Sequence, residues 1–173
     1  MHPLQGARRE DGPLIPGLSR SRKFGAGLLV AVVGVDQALK LVVASTHPLG
    51  ASTALLDGIL SLTYIRNPGA AFGLLPQVPV LIPALIALTL LFVLFYNEAR
   101  WVAPPRVQWA LALLAGGAVG NLIDRIRLGA VVDYIDVHFW PVFNVADLAV
   151  TTGAALLMIS LVARTPPTAA DPR

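Results

Sequence analysis

The chain has no cysteine, and that absence removes disulfides, thiolate nucleophiles and cysteine-based metal sites from its chemistry. Charge is also scarce, at 13% of 173 residues. Hydrophobic residues instead reach 55% and mean hydropathy is +0.70, against roughly 45–50% apolar residues in soluble proteins on a count that includes Gly. The composition excludes an ordinary soluble domain and indicates a polytopic membrane protein. No HExxH zinc helix, GxSxG elbow or phosphate-binding P-loop occurs. The net charge of +3 does not indicate a nucleic-acid partner, because the basic residues form no stripe with interleaved aromatics and stand instead at the ends of apolar runs. Of the three histidines, His2 lies in a tail and His47 in a loop, which leaves His138 near the acidic residues. Carboxylates, hydroxyls and amides must carry any reaction.

Residues 1–22 mix Pro, Gly, Ser and charge without an apolar period and are expected to be a disordered tail. The run at 24–44 has 21 residues, close to the ~20 that a helix needs to cross a bilayer. It outlasts a signal-peptide core, carries Asp36 and Lys40 and has no clear cleavage site, so it is expected to stay as a first span. At 45–78 short alternating stretches such as ILSLTYI stand among Gly and Pro, which predicts a small extramembrane β element with a loop re-entering at NPGAAFG. Further spans are expected at 80–97, with Pro83 tolerated in the first turn, at 107–123 and at 145–163, before a second tail at 165–173. The expected fold is an all-α membrane protein, four transmembrane helices at 23–164 with a small extracytoplasmic β-sheet and loop. Nine of the thirteen basic residues then fall on one side, which the bias against translocating basic loops makes the cytoplasm, with both termini there.

Four of the ten acidic residues, Asp124, Asp133, Asp136 and Asp147, are gathered in 116–148 between two apolar runs. Ionisable groups beside lipid face a bundle interior or a wet cavity and mark function. Two carboxylates brought together share a proton, one acting as general base and the other as general acid, and so can hydrolyse an amide without metal or covalent intermediate. A hairpin closing the last two spans would join Asp133 to Asp147. Spacing does not choose Asp133 over Asp136: an extended VVDYIDV puts them on opposite faces, a helical one on the same face. Asp36 and Lys40, at i and i+4, suit a helical ion pair that either serves insertion or supports the site. Arg125 either snorkels or acts at the site. Asp124 is a third acid or orients a neighbour, and Asn67, Asn121 and Asn144 either grip a substrate backbone or satisfy one another. Gly69 and Gly73 suit turns. Asp133, Asp136, His138 and Asp147 together make only a weak cation-binding set.

Three motifs, NPGAAFG at 67–73, GGAVGNLIDR at 116–125, and VVDYID at 131–136 with FNVAD at 143–147, together with DQALK at 36–40, resemble the lipoprotein signal peptidase (signal peptidase II) family of bacterial aspartyl peptidases. The resemblance covers about residues 24–163. It implies a catalytic dyad at Asp133 and Asp147, with Asp36, Lys40, Asn67, Gly69, Asn121, Asp124, Arg125 and Asn144 around it. It further implies a metal-independent monomer without cofactor in the inner membrane, whose partner is a membrane-embedded prolipoprotein cleaved before its diacylglyceryl cysteine. Only thirteen residues separate the two aspartates, fewer than the family's pattern suggests, so the lid there is expected to be short. The alternative from another class is a small proton-coupled transporter, against which stands the gathering of the acids at one face rather than at the midplane.

Overall fold

A computed structural model of the chain describes residues 16–69 and 104–163, with the side chains from Phe24 onward except that of Leu161. The second span expected at 80–97, most of the NPGAAFG loop, residues 1–15 and the whole tail expected at 165–173 lie outside the described residues. Among those described, the elements are α1 (Pro16–Thr46), β1 (Ser52–Leu56), β2 (Leu60–Asn67), α2 (Pro105–Leu128), β3 (Val131–Asp136) and α3 (Val145–Val162).

The helix α1 starts at Pro16, so 16–22 are helical rather than part of a tail. Proline suits a first helical position, where its fixed φ is already right and its missing N–H has no partner to lose. Similarly α2 opens on Pro105 and runs past Ile123 to Leu128, which places Asp124 and Arg125 within the helix rather than beyond its end. Gly129, left-handed at φ 68°, stops it by returning its N–H to Arg125 O at 3.0 Å. Arg125 and Arg127 occupy the last turn, where cations complement the helix dipole. Two helical stretches, Phe24–Thr46 and Pro105–Leu128, are long and apolar enough to cross a membrane, and a shorter apolar helix covers Val145–Ser160.

Helix α2 packs against both α1 and α3. Small residues permit this closeness, as is usual where lipid supplies no hydrophobic drive between helices. A Cβ on Gly117 would strike the Ala146 carbonyl and lie 2.8 Å from Val150 Cγ2, while one on Gly120 would lie 2.6 Å from Asp36 Oδ2. The apolar contacts include Val107 and Leu111 of α2, with Leu114 and Leu157 packed around them.

The sheet is antiparallel in the order β1-β2-β3. Its first two strands fall in the β element expected at 45–78, joined by a tight turn with Gly58 at φ 70°. The third comes from VVDYID, which is extended. Val43 at the end of α1, Tyr64 of β2 and Val132 and Tyr134 of β3 form a second buried cluster that seats the sheet on the helices. In the β2–β3 register Asn67 faces Val131 at one end and Ser61 faces Asp136 at the other. The Asn67 end therefore stands over the tops of the helices.

Gly117→Ala is expected to cost about 1–3 kcal/mol through overpacking, read as a lower unfolding temperature in detergent. Gly34→Ala, where a Cβ meets nothing within 4 Å, should leave that temperature unchanged or raise it.

Candidate active site

The N-terminus of α3 is the fixed point of the site. Asn144 precedes the helix and Asp147 is its third residue, and the two cap each other: Asp147 N–H donates to Asn144 Oδ1 at 2.9 Å, and Asn144 N–H to Asp147 Oδ2 at 3.3 Å. This reciprocal arrangement satisfies amides that a helix start leaves without intrahelical partners. Ala146 N–H is satisfied from another helix, by Asp36 Oδ1 of α1 at 3.0 Å. Two carboxylates thus sit at the positive end of the helix dipole.

Asp36 is one arm of a buried ion cluster. Lys40 Nζ lies 2.9 Å from Asp36 Oδ2 and 2.8 Å from Asp124 Oδ2, and Asp36, Lys40 and Asp124 are all 3% exposed or less. Asp124 Oδ2 also accepts Val132 N–H at 3.1 Å, which ties the start of β3 to α2. Gln37 Nε2 donates to Asp124 Oδ1 at 3.0 Å and to Gly120 O at 3.1 Å. Gln37 is a member of the network that the sequence reading passed over, although an amide between Asp36 and Lys40 in an apolar run was its signal.

The third donation from Lys40, 2.9 Å to Asn121 Oδ1, sets the orientation of that amide. With its oxygen turned to the ammonium, Asn121 Nδ2 donates to Asp147 Oδ1 at 2.8 Å. Asn144 Nδ2 reaches Asp133 Oδ1 at 2.7 Å, Val132 O at 3.2 Å and Asn121 Oδ1 at 3.1 Å. Asn67 Nδ2 donates to Asp133 Oδ2 at 3.1 Å, and Asn67 Oδ1 accepts from Gly69 N–H at 3.0 Å. In these contacts Asn144 and Asn121 satisfy one another, and all three asparagines also hold carboxylates.

Asp133 and Asp147 open onto one cavity of about 230 Å³, whose walls include Asn67, Gly69, Asn121 and Arg125. Val131, Val150 and Thr151 complete the lining and were not among the expected site residues. Arg125 is half-buried; its Nη1 donates to Asn121 O at 3.3 Å, while its buried Nε has no hydrogen-bond partner among the described residues. Burial first, then the neighbouring Asp147, push the Asp133 carboxyl up to about 7, against the hydrogen bonds from Asn67 and Asn144. Asp136 points elsewhere, as strand period 2 requires. It accepts from Thr63 Oγ1 at 3.0 Å and from His138 N–H at 2.9 Å, and those bonds hold its carboxyl below the usual range. The cation set weighed from sequence is therefore divided, with Asp136 and His138 turned from the cavity.

Two helices long and apolar enough to cross a bilayer, a small sheet packed against them and two carboxylates lining one cavity are the frame that known proteins share. The family model for "Signal peptidase (SPase) II" matches residues 28–163. The lipoprotein signal peptidase of Halothermothrix orenii is 42% identical over 135 residues, 78% of this chain and 92% of that protein, and that of Geobacter sulfurreducens is 40% identical over 152 residues, 82% and 92%. A bacterial membrane enzyme solved by the in meso method at 2.3 Å superposes with a TM-score of 0.75 at 33% identity, over 87% of this chain and 95% of that one. A second, at 1.9 Å, gives 0.72 at 35% identity, over 83% and 95%. The chain belongs to the signal peptidase II family, an aspartic-type peptidase family of bacterial membranes. That membership sets the proton-coupled transporter aside.

Two outcomes are expected from this geometry. Lys40→Ala leaves Asp36 and Asp124 buried without their cation and should destabilise the protein by about 3–5 kcal/mol, measured by thermal or denaturant unfolding in micelles. The native Asp133 keeps a proton that the unfolded chain releases above about 4, so stability should fall as pH rises from about 4 to about 7. Asp133→Asn should flatten that slope in unfolding temperature against pH.

Proposed function

We propose that the chain removes the signal peptide from diacylglyceryl-modified prolipoproteins, cutting before the lipidated cysteine, with Asp133 and Asp147 as its catalytic dyad. The observation that carries this reading is that both carboxylates line one cavity and are both bonded to a single residue, Asn144. Asp133, with its carboxyl near 7, begins as the proton holder. Asp147 takes a proton from water as the oxygen attacks the scissile carbonyl, and Asp133 gives its proton to the departing nitrogen so that the C–N bond breaks. The two titrate as a coupled pair carrying one proton between them. No metal or covalent intermediate is required.

The other expected residues have supporting parts. Asn121 and Asn144 hold the dyad; Asp36, Lys40 and Asp124 fix the elements that bear it; Asn67 and Gly69 form the rim beside Asp133. Arg125, on the wall of the cavity, is read as the side chain that meets a substrate carbonyl. The domain is read as 23–164 with four spans, the second at 80–97 and the outer tails flanking it. The protein is read as a monomer of the bacterial inner membrane, with its termini in the cytoplasm and the cavity at the outer leaflet. An acylated precursor already in that leaflet enters sideways, and water enters from outside.

Purified enzyme in micelles or liposomes should cleave a prolipoprotein only after its cysteine carries the diacylglyceryl group. Asp133→Asn and Asp147→Asn should each lower the rate by roughly 10²–10⁴-fold or more while folding normally. The wild-type rate should withstand EDTA and decline as pH rises through about 7, where Asp133 loses its proton. Processing at the normal rate by either variant would remove that residue from the dyad, and loss of activity in EDTA would require a metal.

A further inference from the structure

Asp124 is met from three elements at once. Its Oδ2 accepts from Lys40 Nζ of α1 at 2.8 Å and from Val132 N–H of β3 at 3.1 Å. Among the described residues its Oδ1 is met by the Gln37 amide alone, whose Nε2 donates at 3.0 Å. Asp124 is 2% exposed, and a buried carboxylate oxygen left without a donor is costly. Gln37 is half-buried on α1, and its Nε2 also faces Gly120 O at 3.1 Å and Asp36 Oδ2 at 3.3 Å. Its Oε1 lies 3.4 Å from Arg127 Nη1. The amide is fixed in one sense, because the reverse orientation would set its oxygen against three acceptors and its NH2 against a guanidinium.

That donation decides where Lys40 points. The ammonium has three protons, and its partners are Asp36 Oδ2 at 2.9 Å, Asp124 Oδ2 at 2.8 Å and Asn121 Oδ1 at 2.9 Å. Two of these are carboxylates and the third is a neutral amide oxygen, which holds a cation less strongly. With Asp124 Oδ1 bare, the ammonium would be drawn across both oxygens of that acid. The bond surrendered would be the weakest of the three, the one to Asn121. Asn121 is also the residue whose Nδ2 donates to Asp147 Oδ1 at 2.8 Å.

We propose that Gln37 is a positioning residue for the reaction, an inference that rests on the part given to Asp147 above. By occupying Asp124 Oδ1 it keeps the third proton of Lys40 on Asn121, and so keeps Asn121 aimed at Asp147. Gln37 is not among the residues lining the cavity, so it meets no substrate. Its influence passes through Asp124, Lys40 and Asn121 and falls on the step in which water gives up its proton, not on binding.

Two substitutions remove the donation in different ways. Gln37→Met keeps the length and deletes the donor, whereas Gln37→Glu keeps the shape and sets a third carboxylate to compete for Lys40. With the full chain in micelles and a diacylglyceryl-modified prolipoprotein, each should lower kcat about tenfold, the scale of one hydrogen bond to a charged group, and leave KM within about twofold. Gln37→Glu combined with Asp124→Asn exchanges donor and acceptor across the same gap, with the new amide oxygen still open to Lys40 and Val132. The double variant should be faster than Gln37→Glu, a recovery that loss of packing alone does not produce. Rates are taken per folded molecule, and if Gln37→Met does not fold, the Gln37→Glu pair decides alone. A wild-type kcat in either single variant, a fall in rate carried by KM, or a double variant no faster than Gln37→Glu overturns the proposal. Failure of the unaltered protein to cleave is a distinct result: it removes the peptidase reading, and with it the step that Gln37 would serve.

Discussion

One ammonium group shared by two buried carboxylates holds this structure in register. Lys40 stands between Asp36 and Asp124, and each carboxylate ends on the backbone of a different element: Asp36 on Ala146 at the start of α3, Asp124 on Val132 at the start of β3. Those elements carry Asp147 and Asp133. The distance between the proposed catalytic groups is thus governed from α1, a helix that bears neither of them. Charges so placed are costly unless every bond is made, and here the carboxylates meet cation, backbone amide and the Gln37 amide together. Nothing bulkier than Gly120 could stand beside Asp36 without displacing that arrangement.

The same economy runs through the asparagines. Lys40 orients Asn121, Asn121 and the helix cap orient Asp147, and Asn144 links that cap to Asp133. The side chains that select the position of each carboxylate oxygen are thereby fully engaged before any ligand arrives. Preorganisation of this kind lets proton transfer proceed without rearranging the site. It also separates two tasks: the amides hold the acids, and the part proposed for Arg125, on the cavity wall, is to meet what enters.

Much of this was legible in the residues. Apolar runs marked α1 and α2, because a helix exposed to lipid needs a long unbroken apolar stretch. Asp36 and Lys40 announced their pairing by four-residue spacing. VVDYID was ambiguous, since six residues with two acids satisfy either period, and only the ladder with β2 decides it. The pairing of the third strand was not legible for a related reason: its partner lies some seventy residues earlier, and local pattern carries no record of so distant a pairing. Helix ends were also misjudged, at Pro16 and beyond Ile123, where polar residues resemble a tail or a connection although nothing in them stops the backbone. Gln37 went unremarked because an amide draws less notice than the charges on either side of it.

The reciprocal cap between Asn144 and Asp147 reaches into pharmacology. Asp147 both caps a helix and lines the cavity, so any exchange but the near-isosteric Asn would disturb the scaffold along with the proposed chemistry, while the fully buried Asn144 holds the cap and Asp133. A compound that gains its affinity from Asp133 and Asp147 would leave the bacterium little tolerable escape there. Resistance would have to arise on the replaceable walls, at Val131, Val150 or Thr151, and an inhibitor that barely touches those side chains would be the harder one to evade.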